Sequence, residues 1–370
     1  MATRTPLGER LPDFPWDTLT GAKDTAAAHP DGIVDLSVGT PVDAVAPGIQ
    51  LALAEAAGDP GYPPTTGSPQ LREAIADWLS RRYGVTDVTA DAVLAVAGTK
   101  EAIATLPTLL GIRGGTVVIP EISYPTYEVA ATLAECRTLR SDSLLKVGPA
   151  TPDLMFINSP SNPTGKVLGV EHLRKVVGWA RSRGVILVAD ECYIGLGWDD
   201  ENVPLSILDP RVNDGDLTGL IAVHSLSKSS NLASYRAGFL AGDPTLIAEL
   251  TGVRKHLGLM VPGPIQHAMI AALHDDDQEH LQKLRYATRR AKLLSALLKA
   301  GFRVDDSEAG LYLWATRGES GRDTVAWLAE RGILVAPGDF YGPHSGEHVR
   351  VSLTATDERI DAAAQRLRAG

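Results

Sequence analysis

The stretch VHSLSKSSNLASYRAGF, residues 223–239, runs from an apolar segment into a hydroxyl-rich turn holding Lys228, and Arg236 leads directly into another apolar segment, 238–241. Working outward, short apolar runs recur at 93–97, 116–119, 154–157, 185–189 and 221–223, with helical patterns between them. Several are apolar throughout, as strands buried on both faces should be. Strands alternating with helices predict an α/β fold on a mainly parallel sheet. One intervening helix is explicit: Ser68 as N-cap and Pro69 in the first turn precede Leu71, Ala74, Ile75, Trp78 and Leu79, an apolar face at helical spacing.

Past Pro264 the pattern changes to long helical stretches, notably 279–300, and then to strand-like 311–315, 333–335 and 349–353. The expected organisation is an irregular arm with part of a small domain at 1–40, a large domain at 41–262 and a smaller α/β domain at 263–370. With 370 residues, 44% of them hydrophobic, the chain can bury a substantial core. A net charge of -10 argues against nucleic-acid and anionic-membrane surfaces, which need clustered cations. Two scattered cysteines, Cys136 and Cys192, read as reduced thiols in a cytoplasm. The first sixteen residues mix charge and proline without a signal-peptide apolar core, and no later run approaches a membrane span.

Four pieces can carry chemistry. In the opening stretch a lysine amine can form imines, and neighbouring hydroxyls can donate to a phosphate ester; a solvated surface loop explains the same composition. VILVADECY, 185–193, sets Asp190 at the carboxyl end of a buried strand, where ligands of open α/β sheets bind. An acid there can keep a pyridine nitrogen protonated; a helix N-cap is the alternative. INSPSNPTG, 157–165, follows another apolar run and offers Asn162, although turn formers alone account for it. AVAGTKEAI, 95–103, opens a helix at Gly98 straight after a strand, a phosphate-binding geometry or simply a tight turn.

These pieces, in this order, resemble the fold-type I, class I/II aminotransferases, and the resemblance spans nearly the whole chain. It implies a large domain on a mainly parallel seven-stranded sheet, a smaller C-terminal α/β domain and pyridoxal 5'-phosphate as cofactor. It implies Lys228 as the Schiff-base lysine, Ser225 and Arg236 on the cofactor phosphate, and Gly98, Thr99 and Lys100 beside that phosphate. Asp190 would face the pyridine nitrogen, with Tyr193 and Asn162 on the phenolic oxygen. PEISYPTY places Tyr124 to stack on the ring, and GYPPTTG places Tyr62 on the phosphate of a neighbouring subunit, which implies a homodimer. HVRVSL sets Arg350 on the substrate α-carboxylate with Gly39 of LSVGTP beside it, Asn162 also touching substrate. The implied reaction moves an amino group between glutamate and a 2-oxo acid; a carbon–sulfur lyase of the same fold would share these contacts. Residues 253–266, VRKHLGLMVPGPIQ, resemble the succinyldiaminopimelate transaminase subfamily, with Arg254, Lys255 and His256 as candidates for a second carboxylate.

Ser234 departs from the family, which usually has glycine there, and strain at that position is expected if φ must be positive. No metal site is expected. His344 and His348 lie among helix-breaking glycines and a proline, and Asp275, Asp276 and Asp277 with His274 and His280 read as a solvated helix start. Cys192 reads as a buried structural thiol.

Overall fold

The computed structural model describes residues 6–149 and 151–368; the first five residues of the arm lie outside them. Its centre is a seven-stranded sheet in the order Val93–Ala97, Ala237–Gly242, Leu220–Ser225, Ile186–Asp190, Leu154–Asn158, Thr116–Ile119, Arg137–Arg140. All neighbours pair parallel except Ala237–Gly242, which is antiparallel to both sides. Because side chains alternate along a strand, each strand feeds two cores. Val93 and Ala95 enter one cluster while Leu94 and Val96 enter the other, and Leu187 and Ala189 are likewise separated from Val188. Helices cover both faces, so the strands are apolar without a polar side. The register matters for function. Asn158 pairs with Asp190, which pairs with Val223, two residues short of Ser225, so three polar side chains gather at one carboxyl edge.

The helix Pro69–Tyr83 begins at Ser68, whose hydroxyl accepts from the Leu71 amide at 3.1 Å, and buries the five apolar residues read from its pattern. Gly84 ends it at φ 67°, a left-handed position where glycine avoids the Cβ penalty. The acidic run caps the helix Asp276–Lys299, with Asp275 accepting from the Gln278 amide.

The smaller unit is an antiparallel sheet ordered Ala336–Pro337, Val349–Ser352, Tyr312–Thr316, Arg303–Asp305. The arm joins it: Val34–Asp35 pairs parallel with Ile333–Leu334. The domain change proposed at 262 needs correction. Gly263–His274 packs on Pro47–Glu55 and Pro69–Tyr83, and its Ala268, Met269, Ala272 and Leu273 belong to the large core. The change falls inside Asp276–Lys299, whose Tyr286, Leu293 and Leu297 enter the small-domain cluster. Arg137–Arg140 escaped the sequence reading because it is an edge strand with one apolar residue, Leu139, and no buried position.

Candidate active site

A cavity of about 840 Å³ opens at the carboxyl edge of the large sheet, between it, the arm and the small domain. Every candidate for cofactor or α-carboxylate binding lines it except Gly98, behind the Arg236 guanidinium, and Tyr62. Lys228 sits on a single helical turn, Leu226–Ser229, capped by the Ser225 hydroxyl, which accepts from the Ser227 amide at 3.1 Å. Its ammonium donates to the Gly39 carbonyl, and burial holds its pKa below the usual lysine value. A lysine poised nearer neutrality is a better nucleophile and base.

Asp190 is 5% exposed and accepts hydrogen bonds from the Tyr127 hydroxyl at 2.7 Å and the Cys192 amide at 3.2 Å. Burial keeps its carboxyl above the ordinary value, offset in part by the hydrogen bonds from Cys192 and Tyr127. Among the described residues it has no ion-pair partner, so a protonated ring nitrogen fits as its counter-charge. Arg350, 2% exposed, is the complementary case. It donates to the Asn162 side-chain oxygen at 2.9 Å and the Ser37 carbonyl at 2.8 Å, stacks on Tyr312 at 3.9 Å, and leaves Nε unpartnered. No carboxylate of the described chain meets it, and an anionic ligand is what such a guanidinium lacks.

The third element is an anion cradle. Gly98 precedes the helix Thr99–Leu109 at φ 86°, and a Cβ there would strike the Arg236 guanidinium. Helix-start amides, Arg236 and the Ser225 and Ser227 hydroxyls thus face one cavity end, a fitting seat for a phosphate. Tyr124 lines the wall with its hydroxyl pushed up to about 12 by burial, so it presents a neutral aromatic ring there.

Ser234 does not occupy the left-handed region; Arg236 does, at φ 56°, so any strain belongs to the phosphate-end arginine itself. Arg254 is 1% exposed and paired with Glu101 at 3.2 Å, and neither it, Lys255 nor His256 lines the cavity, which removes that trio as a carboxylate site. The available cations are Lys23, from the helix Thr20–Ala27, and Lys100, whose ammonium lies 5.4 Å from the Phe14 ring centroid. Tyr62 is 96% exposed and does not line its own chain's cavity. Cys192 lies against the Thr99 hydroxyl at 3.5 Å, its thiol pushed well up by burial. His348 bonds Asp305 at 2.8 Å and stacks on Trp314, and the described residues contain no group of three or more potential metal ligands.

Sequence reasoning missed Tyr127, Tyr312 and Trp16. Tyr127 could have been found, since it lies one helical turn beyond Tyr124 on the helix Thr126–Leu133. Tyr312 and Trp16 carry no local signal.

Strands covered on both faces, with a lysine, an acid and a guanidinium converging beyond their carboxyl ends, define a pyridoxal-phosphate enzyme of the aminotransferase type. Residues 31–367 match the family described as aminotransferase class I and II, and the chain belongs to that family. It is a transferase that uses pyridoxal phosphate and acts on amino acids and 2-oxo acids. It is 66% identical over 96% of its length to a probable aminotransferase of Mycobacterium tuberculosis, covering 85% of that protein. It is 56% identical over 96% of its length to the 4-dedimethylamino-4-oxo-anhydrotetracycline transaminase OxyQ of Streptomyces rimosus, covering 99% of it. Among solved structures, a probable N-succinyldiaminopimelate aminotransferase of Thermus thermophilus superposes with a TM-score of 0.85 at 28% identity, covering 96% of this chain and 99% of that one. No helix among the described residues is long and apolar enough to cross a membrane.

Proposed function

We propose that the protein transfers an amino group between glutamate and the N-succinylated oxo acid corresponding to N-succinyl-L,L-diaminopimelate, with Lys228 as the Schiff-base lysine. The observation that carries the transamination is the pair of buried, unmatched charges, Asp190 and Arg350, on either side of Lys228. The cofactor, when bound, supplies an aldehyde and an electron-accepting ring. Asp190 would face the ring nitrogen and favour its protonated form, Tyr124 would stack on the ring, and Arg236 with the Gly98 helix start and Ser225 would hold the phosphate. Arg350 would grip the substrate α-carboxylate and so orient its Cα–H bond. The Lys228 amine would serve as the base for the Cα proton.

The substrate assignment rests on likeness to the Thermus thermophilus enzyme and on cavity size, with Lys23 and Lys100 offering a second cation at the mouth. A second reading has its own support. Phe14 and Trp16, 5.6 Å apart, add an aromatic wall, and a planar oxo substrate of the kind named for the Streptomyces rimosus relative would lie against it. Assaying the holoenzyme with glutamate against succinylated, aspartate-derived, branched, aromatic and polycyclic oxo acids decides between them. A clear preference for the succinylated acid is expected. Preference for any other rejects that substrate, and formation of pyruvate without amino transfer would indicate the lyase chemistry instead.

The exposed Tyr62 supports a homodimer with shared sites. Lys228→Ala and Tyr62→Ala proteins are each expected to be nearly inactive. Mixing them under subunit exchange should restore roughly a quarter of wild-type activity, because half of the dimers are hybrids with one intact site. No recovery, or a fully active monomer on dilution, would remove the shared site.

A further inference from the structure

The Tyr312 hydroxyl has no part in the roles assigned above. Its ring packs beneath the Arg350 guanidinium at 3.9 Å, a contact phenylalanine would make equally well. The hydroxyl is therefore an addition, and its surroundings are built around it. Tyr312 is 4% exposed, opens the strand Tyr312–Thr316, and puts its oxygen where a Cβ on Gly39 would have to stand. Its one hydrogen-bond partner in the described structure is the Tyr193 hydroxyl, at 3.1 Å, with the two rings edge to face at 5.8 Å. Both rings line the same cavity as Lys228.

We propose that Tyr312 is a positioning residue that donates its hydroxyl proton to the Tyr193 oxygen, turning the Tyr193 proton toward the phenolic oxygen of the cofactor and thereby lowering the proton affinity of the Lys228 imine. This rests on the cofactor reading given under the proposed function and on the phenolic-oxygen role that the family resemblance implies for Tyr193.

The direction of donation follows from the charges that face each ring. Tyr312 is met by Arg350 from the neighbouring strand, by Lys228 and by Tyr193, with Asp190 acting in the opposite sense and Tyr124, Tyr286 and Tyr341 near it. Burial raises its pKa, but the Arg350 guanidinium stacked on its ring at 3.9 Å and the Lys228 ammonium draw it below the ordinary tyrosine value. Tyr193 is pushed well up, by burial first and then by Tyr312. The more acidic phenol is the better donor. A hydroxyl that accepts one hydrogen bond becomes a stronger donor in the next, so Tyr312 strengthens the Tyr193 contact as well as aiming it. A proton donated to the phenolic oxygen draws charge from the atom that would otherwise share the imine proton. Losing that donation makes the imine hold its proton to higher pH.

The test is the pH titration of the visible absorbance of the resting holoenzyme, without substrate, for wild type, Tyr312→Phe, Tyr193→Phe and the double variant. Tyr312→Phe should raise the midpoint by roughly half a pH unit or more. Tyr193→Phe should raise it further, and the double variant should match Tyr193→Phe alone, since Tyr312 acts only through that hydroxyl. A midpoint unmoved or lowered in Tyr312→Phe, or additive shifts in the double variant, would overturn the inference while leaving the cofactor assignment standing. A wild-type band that does not titrate would overturn the inference alone, and a protein with no visible cofactor band would overturn both.

Discussion

Lys228→Ala is expected to abolish the borohydride-reducible cofactor adduct and to lower turnover by about 10⁴-fold or more, the upper range for a single general base, with loss of the covalent link adding to it. The size follows from geometry. Lys228 is the lysine on the Ser225-capped turn at the sheet edge, and the other cavity lysines, Lys23 and Lys100, sit on the arm helix and at the first turn of Thr99–Leu109. Neither occupies the Lys228 turn, so no other amine inherits its proton. Folding should survive, because removing a partly buried ammonium whose pKa is already depressed relieves a desolvation cost. Intact thermal unfolding with lost reduction and activity is the expected combination. A reduced adduct of wild-type yield in the variant would move the linkage to another lysine.

Much of this site was legible because strand ends and turn chemistry are local. The apolar runs ending at Asp190 and near Ser225 predicted their own strands within a residue or two, and parallel pairing then places those ends together without any further information. Ser68 and Gly98 announced helix starts for the same reason. What stayed hidden depends on contacts between distant parts of the chain. Residues 254–256 have the composition of a solvated helix end, and only the fold brings Glu101 to Arg254 and buries the guanidinium. Trp16 and Tyr312 reach the cavity because the arm strand pairs with Ile333–Leu334 and the small sheet folds over the large one. The domain change was placed too early because it was set where long helical stretches begin, past Pro264, whereas domain membership is decided by which core the buried face of Gly263–His274 joins.

Asp190→Asn should leave the cofactor bound yet lower kcat by about 10²–10⁴-fold, corresponding to the roughly 3–5 kcal/mol for breaking a buried charge pair by removing one partner. The amide preserves shape. Its one oxygen can accept from the Cys192 amide while its NH2 donates to the Tyr127 hydroxyl oxygen, so the loss is chiefly one of charge rather than of packing. Charge is the property that matters here, since a neutral partner no longer favours a proton on the ring nitrogen, and an unprotonated ring is a poor electron sink. The buried acid also carries its own stability consequence. With its pKa raised in the folded state, Asp190 in the cofactor-free protein disfavours folding as pH rises through the unfolded carboxyl value, and bound cofactor relieves that by supplying a cation. Asp190→Asn apoprotein should therefore be at least as stable to heat at neutral pH as wild-type apoprotein, while the holoenzyme gains less from cofactor than wild type does. Thermal unfolding of all four forms, with single-turnover rates for glutamate, checks both halves. A variant that keeps wild-type turnover would show that Asp190 does not face the ring nitrogen. A variant that loses activity through a collapsed apoprotein would make it a structural residue instead.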